Sequence, residues 1–160
     1  MSFTSRIDLS EHVRKHASAL LQARLSDALD LEAQAKQAHW NVRGPHFLQL
    51  HQLFDAVHDS AEQFVDLIAE RITALGHVAD GRVATTAAAT TLYGYPLEAA
   101  GGEAHLKALS ASIAAFGKAV REGIDQAGTI GDADTADLFT QVSRETDKQL
   151  WLLEAHLQAH

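Results

Sequence analysis

The chain has no cysteine among its 160 residues. That excludes a disulfide framework and a thiolate metal site, so any bound metal must rely on His, Asp and Glu. Basic residues are also scarce: 13 Lys and Arg stand against 21 Asp and Glu, a formal charge of -8. This balance argues against a dedicated polyanion binder and suits the attraction of cations. No apolar run approaches the ~18 residues of a membrane span. The opening stretch "MSFTSRIDLSEHVRKH" lacks the apolar core of a signal peptide. The expectation is a soluble, unexported, cytoplasmic protein. Internal repeats and low-complexity tracts are absent too. What remains, 46% hydrophobic residues in 160, is enough for one compact domain over 1–160, with 1–9 as a short N-terminal tail.

Helical spacing dominates the pattern. From Ser10 to about Val42, apolar residues including Val13, Ala17, Leu20, Ala28, Leu31, Ala35, Ala38 and Val42 recur mostly at steps of three and four or their sums. Asp8 and Glu11, three apart, resemble a capping box at the start of this helix. Gly44 can supply a left-handed stop, and Pro45 can open the next helix at its first position. The second helix carries the cleanest stripe, Leu50, Phe54, Val57, Ala61, Phe64, Ile68, Ile72 and Leu75, ending at Gly76. Residues 77–101 lose the period and predict a long connection with a short helix around Pro96 to Ala100. Spacing returns with Leu106, Leu109, Ile113, Phe116, Val120, Ile124 and Ala127. It continues from about Asp132 through Leu138, Val142, Thr146, Leu150, Leu153 and Leu157. Tight first and third loops make antiparallel neighbours, whereas the long middle one can run back along the bundle. The predicted fold is all-α, a ferritin-like four-helix bundle with a long crossover between the second and third helices. An up-and-down bundle with a loose loop is the alternative.

Chemistry-bearing side chains gather on the second helix. His51 and Asp55 are one turn apart, and Asp66 and Glu70 repeat that spacing. At about 100° per residue, Asp55, Asp66 and Glu70 lie roughly 40°, 60° and 100° from His51, on one side of the apolar stripe. The two pairs are centred roughly 22 Å apart along the axis, so they cannot share a metal within one chain. Two copies antiparallel about a two-fold axis near Ser60 and Ala61 would bring each pair opposite the other, in an isologous interface. His39 ends the first helix just before the Gly44-Pro45 turn, within reach of His51. Such a His and carboxylate set suits Fe(II), Mn(II) or Zn(II), with open positions favouring redox iron. The bland alternative is a solvated acidic face. His58, Asp59 and Glu62 share the arc with equal local credentials.

Around these residues the sequence resembles the Dps family, the DNA-binding proteins from starved cells, also called mini-ferritins. The resemblance rests on "KQAHWNVRG", His51, Asp55 and "DLIAERITALG", and it extends through "YPLE", "HLKAL" and "DADTADLFTQVSRETDKQLWLLE". It implies a hollow homododecamer with an iron site between two-fold-related subunits, His39, His51 and Asp55 from one and Asp66 and Glu70 from the other. It further implies oxidation of Fe(II), preferably by hydrogen peroxide, storage of ferric mineral and protection against oxidative stress. Trp40, beside the site in this family, reads as a packed aromatic first and an oxidant trap second. Lys36 would orient carboxylates across the interface or sit in solvent. Asp132, Asp134 and Asp137 would line an iron-entry pore or serve the helix dipole.

The sequence departs from the best-known members in its termini. "MSFTSRIDL" offers only Arg6, offset by Asp8, and "LEAHLQAH" has no Lys or Arg. Weak or no DNA binding is expected at neutral pH, with histidines 12, 16, 156 and 160 able to gain charge in acid. The competing readings are a nucleoid-condensing DNA-binding protein with secondary iron chemistry, and an inert helical scaffold. A larger ferritin with an intrachain di-iron centre is disfavoured, because paired Glu-x-x-His motifs are missing.

Overall fold

In the computed structural model, which describes residues 3–158, five helices follow one another. They are α1 (Glu11–Asn41), α2 (Phe47–Ala74), α3 (Val83–Ala89), α4 (Gly102–Ile130) and α5 (Ala133–Glu154). The fold is the expected all-α ferritin-like bundle, built from α1, α2, α4 and α5, with α3 inside the crossover.

Side-chain pairings fix the wiring. Arg14 at the start of α1 donates to the Leu75 carbonyl at the end of α2, so these helices run antiparallel. Arg71 near the end of α2 meets Asp132 at the start of α5, making that pair antiparallel as well. Arg43 N–H donates to the Ala100 carbonyl at 3.2 Å, which places the start of α4 beside the start of α2. The second and third long helices are therefore parallel, and only a crossover running the length of the bundle can join them.

The crossover is pinned to α1 in register. Gln22 exchanges hydrogen bonds with the Asp80 backbone. Further along α1, Asp27 accepts from Thr91 N–H and Oγ1, Asp30 accepts from Thr90, and Gln34 donates to the Tyr93 carbonyl. Asp27 is fully buried, so Thr91 and Arg24, at 2.9 Å, replace its lost water.

All eight stripe residues predicted on α2 are buried, against Phe116, Phe139 and other apolar residues of the facing helices. Each such side chain contributes on the order of 1.5–3 kcal/mol by leaving water. Several local expectations are corrected. Ser10, not the Asp8 and Glu11 box, caps α1: its hydroxyl accepts from Val13 N–H, because the helix starts one residue after it. Pro45 lies in the turn before the His46 cap and not at the first helical position, since Gly44, at φ +118°, reverses the chain first. The short helix expected near Pro96 is a single turn, Ala99 N–H to the Pro96 carbonyl, and the crossover helix lies earlier at Val83–Ala89. No residue of α3 is buried, which is why apolar spacing gave no sign of it. Leu157 lies past the end of α5 but still packs on the core. No helix of the described residues is long and apolar enough to cross a membrane.

Candidate metal centre

The tight 42–46 turn folds the first turns of α2 back against the last turn of α1, and two imidazoles meet there. The rings of His39 and His51 stack with centroids 3.6 Å apart. Each ring bonds the other residue's backbone: His39 Nδ1 to the His51 carbonyl at 2.9 Å, and His51 Nδ1 to the His39 carbonyl at 2.8 Å. A carbonyl only accepts, so each Nδ1 carries the proton and each Nε2 keeps its lone pair. That is the tautomer a metal requires, set by the same backbone bonds that orient ligating histidines elsewhere.

Asp55, one turn further along α2, completes the group. Its Oδ1 accepts from Lys36 Nζ and lies 3.6 Å from His39 Nδ1. The Lys36 hydrogen bond, more than any other influence, holds the Asp55 carboxyl below the usual carboxylate range. The cluster thus offers two imidazole Nε2 atoms and a carboxylate held in its charged form, a donor set that fits Fe(II).

Asp66 and Glu70 do not join it. Both are exposed on the same unbroken helix, more than two turns beyond Asp55. The rival group on the same arc does come together: one ligand atom each from His58, Asp59 and Glu62 fall within 4.8 Å of one another. Glu32 of α1 reaches within 3.9 Å of His58. Burial, and then the negative charges of Glu62 and Asp66, push the Glu32 carboxyl up, while His58 pulls it down. Unlike His39 and His51, His58 has only a 3.4 Å contact to a carbonyl, that of Glu32, and both Asp59 and Glu62 are exposed.

Residues 18–159 match the model of the ferritin-like domain family. The chain is also 37% identical over 151 residues to a protein of Agrobacterium fabrum named DNA protection during starvation protein, covering 94% of this chain and 93% of that one. This chain belongs to the Dps family of ferritin-like proteins. Solved structures agree. DpsC from Streptomyces coelicolor superposes with a TM-score of 0.95 at 27% identity, over 100% of this chain and 94% of that one. Dps from Microbacterium arborescens in its high iron form superposes at 0.87 with 33% identity, over 98% and 99%.

Within this Dps-family chain three residue expectations change. Trp40 is not packed within its own chain: it is 69% exposed, and Phe47 and Leu48 near the histidines are exposed as well. Lys36 is not free in solvent: Asp55 of its own chain holds it. Asp132 is 1% exposed, with its oxygens taken by Arg71, Thr135 N–H and Thr135 Oγ1, so it cannot line a pore. Asp134 and Asp137 are exposed. Spacing also missed a pair formed by half-buried Tyr95 and buried His105, although they lie in the "YPLE" and "HLKAL" stretches. A lone tyrosine in a loop and a lone histidine on an apolar helix carry no pairing signal.

Proposed function

We propose that this chain is a ferroxidase and iron-storage protein. It oxidises Fe(II) with hydrogen peroxide in preference to dioxygen, keeps the ferric mineral in a hollow homododecamer, and so protects against oxidative stress in the cytoplasm. Its family and fold support an iron-related protective role. The observation that carries the finer reading is the reciprocal His39–His51 carbonyl bonding, which commits both Nδ1 atoms and leaves both Nε2 atoms for a ligand, with Asp55 one turn further along α2.

One ferritin-like domain spanning 1–160 is the unit of assembly. His39, His51 and Asp55 hold the substrate iron from one subunit. Asp66 and Glu70 of a two-fold partner close the site, because within one chain they lie too far along α2 to reach it. The exposed Trp40, Phe47 and Leu48 supply apolar surface for that contact. Anionic oxygens stabilise Fe(III) relative to Fe(II), so the ligand set lowers the cost of oxidation as well as binding the ion. Two Fe(II) ions each give one electron to a peroxide; its O–O bond breaks, and two protons complete two waters. Removing both reactants together suppresses hydroxyl-radical formation.

The test is stopped-flow Fe(II) oxidation, with peroxide and separately with dioxygen, on wild type and an assembled Asp66→Ala/Glu70→Ala variant. Fast peroxide-dependent oxidation in wild type, slowed at least tenfold in the variant, is the expected result. Equal rates in the two proteins would remove those carboxylates from the working site. Light scattering on the same samples should give the mass of twelve chains.

A further inference from the structure

Tyr95 and His105 form a pair that iron binding leaves unused. The Tyr95 hydroxyl lies 2.7 Å from His105 Nδ1. His105 is 1% exposed, and Tyr95 leaves the crossover to pack against the core. His105 Nε2 is buried with no hydrogen-bond partner, and the Asn41 backbone adds a hydrogen-bonding influence on the ring. The phenol carries the O–H of the pair, and in the Nε2–H tautomer it donates to a bare Nδ1. Burial pushes the Tyr95 phenol well up and the His105 imidazole down, so both are neutral at rest.

Their position sets them directly behind the metal half-site. His105 packs against Phe54, whose chain neighbour is Asp55, at a centroid distance of 6.2 Å. Asn41 is two residues beyond His39. The pair is thus linked to both helices of the half-site, to α2 through Phe54 and to α1 through Asn41.

We propose that Tyr95 and His105 are a proton-coupled redox pair that intercepts one-electron oxidants escaping from the iron site. This rests on the ferroxidase reading for the source of the oxidant, a hydroxyl radical made when Fe(II) meets peroxide. Tyr95 loses one electron, its O–H bond breaks, and the proton forms an N–H bond at His105 Nδ1. The products are a neutral phenoxyl radical and an imidazolium. The hydroxyl radical becomes hydroxide and takes a solvent proton to give water. A further Fe(II) returns the electron and becomes Fe(III), and His105 returns the proton to the phenol oxygen. Without a base already in place, oxidation would leave a phenol cation in a half-buried site, where an uncompensated charge is costly. The hydrogen bond at Nδ1 removes that state.

The chain has two tyrosines, so a Tyr93→Phe variant leaves Tyr95 as the sole source of a phenoxyl signal. Assembled Tyr93→Phe protein would be freeze-quenched for EPR after Fe(II) and peroxide. A parallel sample, free of iron, would be oxidised with photogenerated tris(bipyridine)ruthenium(III). The expected result is a phenoxyl signal in both arms, with an exchangeable hydrogen-bonded proton that D2O replaces. It should be absent from Tyr93→Phe/Tyr95→Phe and reduced several-fold in Tyr93→Phe/His105→Gln. Radicals confined to tryptophan, or a phenoxyl with no exchangeable partner, would overturn the pair. If His105→Gln does not fold, the exchangeable coupling in the Tyr93→Phe protein decides alone. Iron oxidation without phenoxyl in either arm sinks the pair and spares the ferroxidase. Phenoxyl from ruthenium in a protein that does not oxidise iron does the reverse.

Discussion

Lys36 places a positive charge on Asp55, the carboxylate that the proposed half-site would offer to a cation. Its hydrogen bond holds Asp55 below the usual carboxylate range, so the contribution of this ionised group persists above its ordinary pKa and is lost only as pH falls through the lowered one. The lysine therefore keeps the ligand charged but repels the ion. For an exposed pair the repulsion is worth about 0.5–1 kcal/mol, so Lys36→Met should tighten Co(II) binding about two- to fivefold in calorimetric titration. A weaker affinity would mean that positioning Asp55 outweighs the repulsion. His105 carries the opposite sign. Burial lowers it from the usual 6.5, so as pH falls below that value the unfolded chain takes up the proton first and the fold loses stability. Thermal midpoints measured from about pH 7 to 5 should therefore fall less steeply in His105→Gln than in wild type. At this scale the sequence showed which residues share a face, because a helix repeats on a fixed angle. It could not show that two carbonyls lock the histidine tautomers, since that depends on how the 42–46 turn docks one helix end on the other.

Helix ends are held by different means, and two glycines separate them. Gly76 and Gly131 close α2 and α4 with nearly the same left-handed φ, +86° and +85°. A Cβ at Gly131 meets nothing within 4 Å, whereas at Gly76 it would sit 2.7 Å from the Phe3 carbonyl oxygen. Gly131→Ala should cost the left-handed strain alone, about 1–2 kcal/mol, and Gly76→Ala distinctly more, as read by chemical denaturation. The α2–α5 junction is electrostatic instead: Asp132 caps α5 and also pairs with Arg71 at 2.8 Å. Asp132→Ala removes the cap and strands a largely buried guanidinium, so a loss of about 3 kcal/mol is expected. Asp134→Ala, at an exposed position, should stay within about 0.5 kcal/mol. The four long helices were legible because each buries a stripe against the core. The crossover helix was not, because it buries none, and the Ser10 cap was missed because Asp8 offered a plausible rival two residues earlier.

Assembly converts a modest charge per chain into a large one. A shell of twelve chains at -8 each would carry -96 formal charges before counterions. Phosphate binding requires clustered cations, and the 13 Lys and Arg of this sequence are outnumbered by 21 Asp and Glu. Arg6 is the one basic residue before α1, and its segment is tied down by Phe3 N–H on the Gly76 carbonyl and Ser5 Oγ on the Ala74 carbonyl. The proposed two-fold contact rests on two half-sites stranded at separate turns of one helix, which residue spacing shows directly. DNA avidity is instead a matter of summed surface charge, which composition reports directly. Protonating the exposed His12, His16 and His156 would move a chain from -8 only to -5, and His160 lies outside the described residues. Gel shifts across pH and salt should therefore show no retardation at neutral pH in moderate salt. Near about pH 5.5, below the ordinary imidazole range, retardation should be weak and abolished by added salt. Strong retardation at neutral pH in moderate salt would overturn this and make nucleoid condensation the better reading of the protein's main role.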